Sequence, residues 1–243
     1  MALALNTTAR NPGVSFRNRG VGYSCTTHLF QQLSDAASQH LNEIETQVML
    51  RGGMVLFRED EPANRLFVVC EGQLKLSSTS PDGHVMILRL VGPGDILGLS
   101  AALNRSEYEL TAETLKPTIL KCVSRGDFIE FLGSYVEVGE QTSRALAKKC
   151  GEARRDTRRI GLPGSAAGRL ARLLLDWSAT TDCRSRESTF TMILTHEEIG
   201  NMAGLSRETV TRTLKQFERV GMISRNKTAF VICDSSRLKR LAG

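Results

Sequence analysis

The segment Leu194-Thr-His-Glu-Glu-Ile-Gly-Asn-Met-Ala-Gly-Leu-Ser-Arg-Glu-Thr-Val-Thr-Arg-Thr-Leu-Lys-Gln-Phe-Glu-Arg-Val-Gly221 reads as two short helices joined by a tight turn. Thr195 is a good N-cap, because its hydroxyl can accept from an otherwise orphaned amide, and Glu198 three residues on completes a capping box. Ile199, Met202 and Ala203 give one apolar face at helical spacing. Gly204 stands where the first helix must stop, a place suited to a residue tolerant of positive φ. Ser206 then caps a second helix that runs to about Val220, and Gly221 ends it.

The second helix is sided. Val210, Leu214 and Phe217 repeat at i, i+4 and i+7 and face a core, while Arg207, Glu208, Thr211 and Arg212 project from the other side of its first turn and a half. In a helix-turn-helix, the N-terminal residues of the second helix reach base edges in the major groove. Arginine matches the paired acceptors of guanine, and a carboxylate accepts from the cytosine amino group. The alternative is an ordinary helical hairpin with a solvated charged face; the caps and Gly204 favour DNA binding.

Downstream, Met222–Ile232 alternates as a hairpin around Arg225-Asn-Lys227, a wing with a basic tip that suits a phosphate backbone, and Asp234 caps a short terminal helix. The candidate DNA-contacting residues are therefore Thr195, Ser206, Arg207, Glu208, Thr209, Thr211, Arg212, Lys215, Arg225 and Lys227. Upstream, a short strand covers Phe190–Leu194, and a polar loop covers Thr180–Ser188. Before the loop, Ser165 caps a helix from Ala166 to about Ser178 with Leu170, Leu173, Leu174 and Trp177 apolar.

Farther upstream, Ser134-Tyr-Val-Glu137 has the pattern of a second capping box. It predicts a long helix to Arg159, broken by Gly161, Pro163 and Gly164 and roughly 40 Å long at about 1.5 Å per residue. Tyr135, Val138, Thr142, Ala145, Leu146, Cys150 and Ala153 form a loose seam at spacings of three and four that suits pairing with a second copy of the helix. Packing within the same chain is the alternative. The basic run Arg154-Arg-Asp-Thr-Arg-Arg159 is favoured at a helix C-terminus.

From Gln47 the period changes to that of strands: Met54–Phe57, Leu66–Cys70, Gln73–Ser77, Val85–Val91 and Thr118–Val123, punctuated by Gly52-Gly53, Glu71-Gly72, Pro81-Asp-Gly83 and Gly92-Pro-Gly94. Short strands so spaced indicate an antiparallel sandwich or barrel. A helical region is predicted from about His28 to Glu45, and the polar, aperiodic residues 1–26 read as a mobile arm. The predicted class is α+β: an arm (1–26), a β-barrel sensor (27–132), a long helix (133–161) and a C-terminal winged helix-turn-helix (162–243).

At 243 residues the chain suits one large or two modest domains. Of its net charge of +6, the part from Leu162 onward contributes +5 (13 basic, 8 acidic residues), where a DNA footprint needs it. No apolar run approaches the roughly 18 residues that span a bilayer, and Ala2-Leu-Ala-Leu is too short for a signal peptide, so a cytoplasmic location is expected. The six cysteines are scattered without a C-x-x-C pair, so neither a zinc site nor a secreted disulfide frame is suggested, and most are expected to be reduced and partly buried. No cofactor loop, metal cluster or catalytic triad is visible, and no enzyme is expected.

Six motifs together resemble the family of the cyclic-AMP receptor protein and the fumarate-nitrate reduction regulator (CRP/FNR). They are Phe57-Arg-Glu-Asp-Glu-Pro62, Glu71-Gly-Gln-Leu-Lys75, Ser80-Pro-Asp-Gly83, Gly92-Pro-Gly-Asp95, Gly168-Arg-Leu-Ala-Arg-Leu-Leu174 and Leu205-Ser-Arg-Glu-Thr-Val-Thr-Arg212. The resemblance covers roughly residues 28–243. It implies a double-stranded β-helix (jelly-roll) barrel of the cyclic-nucleotide-binding kind, a homodimer paired along the long helix, and double-stranded DNA as partner. It also implies RNA polymerase facing the Thr180–Ser188 loop, and coupling of sensor to DNA head through Gly161-Leu-Pro-Gly164. The last motif looks like a recognition helix that reads TGTGA half-sites through Arg207, Glu208 and Arg212.

The sensor departs from that pattern. The family's nucleotide-binding branch has a ribose-holding glutamate after the glycine that matches Gly98; here that residue is Leu99. Tyr108-Glu109 stand where an Arg-Ser pair holds the cyclic phosphate, and a carboxylate there repels a phosphate. Arg154 and Arg155 replace two hydroxyl residues that meet the base. The possible effector pocket (Gly98, Leu99, Tyr108, Glu109, Arg154, Arg155) is thus expected not to take cyclic AMP or cyclic GMP. Cys25 and Cys122 cannot supply the four thiolates of an iron–sulfur cluster. Redox modulation through Cys25, Cys122 or Cys150, haem held by His28, His40 or His84, and a cyclic-nucleotide-binding regulatory subunit are the alternatives.

Overall fold

The computed structural model describes residues 15–17, 33–161, 164–180, 188–191, 193–226 and 229–243. These form two compact units: one takes in the chain through Ser78 together with Leu90–Cys150, the other Thr79–Arg89 together with Gly151–Gly243.

The elements of the barrel region are, in chain order, β1 (Ser15–Arg17), α1 (Asp35–Ile44), β2 (Thr46–Leu50), β3 (Val55–Phe57), β4 (Arg65–Glu71), β5 (Leu74–Thr79), β6 (Val85–Val91), β7 (Ile96–Leu97), α2 (Leu99–Asn104), β8 (Thr111–Thr114), β9 (Thr118–Ser124) and α3 (Arg125–Ser134). The strands make two sheets, β1-β2-β9-β4-β7 and β3-β8-β5-β6. Alternation along β4 shows how they enclose a core. Phe67 and Val69 point inward with Val48, Leu50, Phe57, Leu74, Leu97, Ala112 and Leu120. Leu66 and Val68 point the other way, into a cluster with Ile96, Leu99, Ala102, Val123 and Phe128, against which Leu41 and Ile44 of α1 pack. Burial on both faces explains why β4 reads as an unbroken apolar run.

Several details differ from the sequence reading. Within the expected arm, Ser15–Arg17 forms a strand paired antiparallel with Gln47–Met49. The first helix begins at Asp35, capped by the Ser34 hydroxyl, rather than near His28, and residues 28–32 lie outside the described ones. Strands β2, β7 and β8 were not predicted because each is too short or too polar to stand out, and all take their partners from strands distant in sequence.

The largest correction concerns the long helix. Two helices occupy this region: α3, capped by the Ser124 hydroxyl accepting from the Asp127 amide, and α4 (Val136–Gly161). The Ser134–Glu137 capping box does not form. Ser134 Oγ donates back to the Glu130 carbonyl (2.8 Å), and the Glu137 carboxylate accepts from Ser34 Oγ (2.8 Å). The seam assigned to self-pairing packs on its own chain instead. Val138 lies in a cluster with Ala37 and Phe131, where Tyr135 also packs, and Ala145 and Leu146 pack against the Leu66–Val68 cluster. Thr142 is buried between them on the same face, while Ala153 is exposed.

The second unit contains α5 (Ala166–Thr180), β10 (Ser188–Thr191), α6 (His196–Ala203), α7 (Arg207–Arg219), β11 (Ile223–Asn226), β12 (Ala229–Ile232) and α8 (Ser235–Ala242). A three-stranded sheet, β10-β12-β11, forms the wing, and α5 packs against α6, α7 and α8. Leu170, Leu173, Leu174, Ile199, Val210, Leu214 and Phe217 are among its buried side chains, as the helical periodicity anticipated, and Leu238 of α8 joins them. Among the described residues no helix is long and apolar enough to cross a membrane.

Candidate nucleic-acid interface

Local chemistry sets the helix-turn-helix. Thr195 Oγ1 accepts from the Glu198 amide (3.2 Å), and Glu198 Oε2 accepts from the Thr195 amide (2.9 Å), so the predicted capping box is complete. Gly204 adopts φ +63 and closes α6, and the Leu205 amide donates to the Gly200 carbonyl (2.9 Å) to complete the turn. Ser206 Oγ accepts from the Thr209 amide (3.2 Å) and caps α7. The hydroxyls of Thr195 and Ser206 are thus committed to the helix ends.

Val210, Thr213, Leu214 and Phe217 turn α7 into the core. The opposite side presents Arg207, Glu208, Thr211, Arg212, Lys215, Gln216 and Arg219 along one strip, four cations against one carboxylate. Arg207, Glu208 and Arg212 lie together in the first turn and a half, as expected, while Gln216 and Arg219 extend the strip farther than the sequence reading had it. Such a surface carries both parts of recognition: cations attracted to phosphates, and side chains with the donor and acceptor geometry of base edges.

The wing differs from expectation at Arg225. Its guanidinium does not extend from a tip but turns back, with Nε 3.1 Å from Glu218, Nη1 3.1 Å from His196 Nε2, and its carbon 5.9 Å from the centre of the Phe230 ring. These contacts engage Nε–H and one Nη1–H of its five donors. Lys227 lies outside the described residues, as do residues 181–187 of the loop assigned to RNA polymerase and Leu162-Pro163 of the expected hinge. His196 Nδ1 lies 2.8 Å from Thr211 Oγ1, and burial, followed by Arg225 and Arg207, holds the imidazole below its ordinary value.

The candidate pocket residues are not gathered around one polar cavity: Tyr108 lies in the enclosed barrel core and Leu99 in the cluster on the other side of β4, while Glu109 and Arg154 are exposed. Leu99 is fully buried in the apolar cluster with Leu66 and Val68. Tyr108 stacks on Phe57 at 3.8 Å between ring centres, donates its hydroxyl to the Arg65 carbonyl (2.9 Å), and has its phenol pushed up to about 12 by burial. Its ring also lies against Gly98, where an added Cβ would come within 2.9 Å of Tyr108 Cε1. Glu109 is exposed and does not point into this interior, where the family resemblance had placed it at the phosphate position, and Arg154 is exposed on α4. The side chain of Arg155 lies outside the described ones. Among the described cysteines, Cys122, Cys150 and Cys233 are free thiols, and Cys70 is disulfide-bonded. Burial pushes the Cys122 thiol up, the opposite of what a reactive thiolate needs. His40 sits edge-on to Phe131 and Tyr135, in an aromatic contact. Among the described residues no group of His, Cys, Asp and Glu is arranged to hold a metal ion.

A capped helix-turn-helix with a basic recognition face and a three-stranded wing, following a two-sheet barrel, defines a winged-helix DNA-binding regulator. The comparisons agree. Residues 168–241 match the Crp-like helix-turn-helix domain, and residues 47–135 match the cyclic nucleotide-binding domain. The transcriptional activator protein anr of Pseudomonas aeruginosa is 30% identical over 198 residues, 80% of this chain and 79% of that protein. The CRP-like cAMP-activated global transcriptional regulator of Mycobacterium tuberculosis is 28% identical over 220 residues, 88% of this chain and 96% of that protein. Among solved structures, FixK2 from Bradyrhizobium japonicum shares the fold with a TM-score of 0.73 at 24% identity, over 82% of this chain and 98% of that one. The chain belongs to the CRP/FNR family of transcriptional regulators.

Proposed function

We propose that this protein works as a homodimer that reads a TGTGA-like palindrome, and that its barrel does not bind cyclic AMP. The observation that carries the reading is the strip of α7 on which Arg207, Glu208 and Arg212 are exposed while the caps behind them are complete. Arginine toward guanine and glutamate toward cytosine are the pairings that a G·C-containing half-site calls for. Two such heads need a palindrome with half-sites one DNA turn apart, which in turn needs a two-fold dimer.

On this reading the barrel (27–132) is the sensor, the long helix (133–161) the dimer element and the winged head (162–243) the DNA reader. Because Val138, Thr142, Ala145 and Leu146 are engaged within the chain, self-pairing falls to the opposite face of α4. There Val136 is 90% exposed, and Glu140, Ser143, Ala147 and Cys150 follow at spacings of three and four. RNA polymerase is the protein partner that family membership implies.

The mycobacterial relative is cAMP-activated by name. Two features argue against carrying that over: the fully buried Leu99, and the Tyr108 ring packed on Phe57 and Gly98. A nucleotide in this interior would have to displace packed apolar side chains, at a cost of several kcal/mol. Titration calorimetry of the full chain with cyclic AMP should give only heats of dilution; an isotherm with a Kd on the order of 1 μM would overturn this part of the reading. Redox modulation is the second reading, favoured by the disulfide at Cys70 rather than by the buried, unreactive Cys122.

A further inference from the structure

His196 is the first residue of α6, and its ring bridges two other elements of the head. Arg225 Nη1, on β11, is 3.1 Å from Nε2, and Thr211 Oγ1, on α7, is 2.8 Å from Nδ1. A guanidinium has donors only, so Nε2 must present a lone pair and the single ring proton must sit on Nδ1, pointing at Thr211. The Thr211 hydroxyl then donates onward to the Arg207 carbonyl at 2.9 Å. The chain of donors is complete and runs one way: Arg225 to His196 to Thr211 to the backbone of Arg207, the first residue of the recognition helix.

We infer that His196 is a positioning residue that, in its neutral Nδ1–H form, ties the wing to the recognition helix, so that acid weakens DNA binding by this head. The inference rests on the head binding DNA. A protonated ring would carry N–H at both nitrogens. Nε2–H would face the Arg225 guanidinium, donor against donor and cation against cation, and the tether would open.

The surrounding charges favour the neutral ring. From α7, Arg207 and Lys215 disfavour the cation and Glu218 favours it, but Glu218 is itself paired to Arg225 on β11. On its own helix, the Glu198 carboxylate is occupied by the Thr195 cap, Glu197 follows in the first turn, and the helix N-terminus itself disfavours a cation. The sign is therefore set. A histidine held below its ordinary value stabilises the head above that value, and the stabilisation is lost as pH falls through the lowered one.

This separates the tether from a phosphate contact, since a histidine touching phosphate would bind DNA more tightly in acid. The test measures full-chain affinity by fluorescence anisotropy at about pH 8 and about pH 5.5, on a TGTGA palindrome and on an unrelated duplex. Nitrogen NMR of labelled histidine reads the tautomer without DNA. The wild type should weaken about tenfold on acidification, the worth of one hydrogen bond to a charged group. His196→Ala should be weaker at both pH values, without that acid loss. His196→Gln, whose amide oxygen can still accept from Arg225, should recover affinity within about threefold of wild type at the higher pH and lack the acid loss. Acid-tightened binding that His196→Ala abolishes would overturn the inference, as would an Ala variant indistinguishable from wild type, or a ring protonated on Nε2. If neither duplex is bound, the DNA reading fails, and the tautomer still decides whether the tether exists.

Discussion

Arg207→Ala is expected to remove about 1–3 kcal/mol of specific binding from each head and to relax base preference at one position of each half-site. On a palindrome both heads lose the contact. The two sites are distant and share no partner, so the losses add to roughly 2–6 kcal/mol. Arg207 opens α7, its backbone carbonyl is held by Thr211, and it lies on the exposed strip with Glu208 and Arg212. Removing its side chain leaves the Ser206 cap and the core residues Val210 and Leu214 untouched, so the head should remain folded. Anisotropy titrations on the palindrome and on a scrambled duplex, at one salt concentration, separate the effects: the palindrome loses affinity steeply while the scrambled duplex loses little. Equal losses on both duplexes would make Arg207 a phosphate contact rather than a base reader.

The second large effect lies in the barrel. Gly72 connects β4 to β5 at φ +104, and a Cβ there would come within 2.3 Å of Thr118 Oγ1 and 2.6 Å of Thr118 Cα, at the start of β9. Gly72→Ala therefore combines backbone strain of about 1–3 kcal/mol with overpacking of about 1–3 kcal/mol. Together, roughly 2–6 kcal/mol approaches the whole stability of an ordinary domain. The only tryptophan, Trp177, lies on α5 in the other unit. Its fluorescence transition in urea should stay near wild type while the circular-dichroism transition of the strands moves to lower urea. A circular-dichroism transition unchanged by the substitution would contradict the packing described for Gly72.

What was legible in the sequence follows the range of the interactions that decide it. The helix-turn-helix is set by caps three residues apart and by one glycine, so its bounds and its exposed face were readable. The barrel was readable as strands between glycine corners, but β2 and β8 owe their existence to partners on β9 and β5. The long helix misled because α4 carries small and apolar residues at helical spacing on two faces, and periodicity does not say which one the chain itself covers. Glu137 matched a local capping pattern, yet the hydroxyl that donates to it belongs to Ser34, 103 residues away. His196 stood in the opening segment without a role, since its partners Thr211 and Arg225 come from the next helix and from the wing.

The central claim is that two identical heads read a palindrome. Affinity selection of random-sequence duplexes by the full chain, with the mass of the selected complex measured, tests it without presupposing the site. The expected result is enrichment of inverted TGTGA-like half-sites with centres about 10–10.5 base pairs apart, each duplex carrying two chains. Enrichment of a single half-site bound by one chain, or no enrichment over the starting pool, would contradict it.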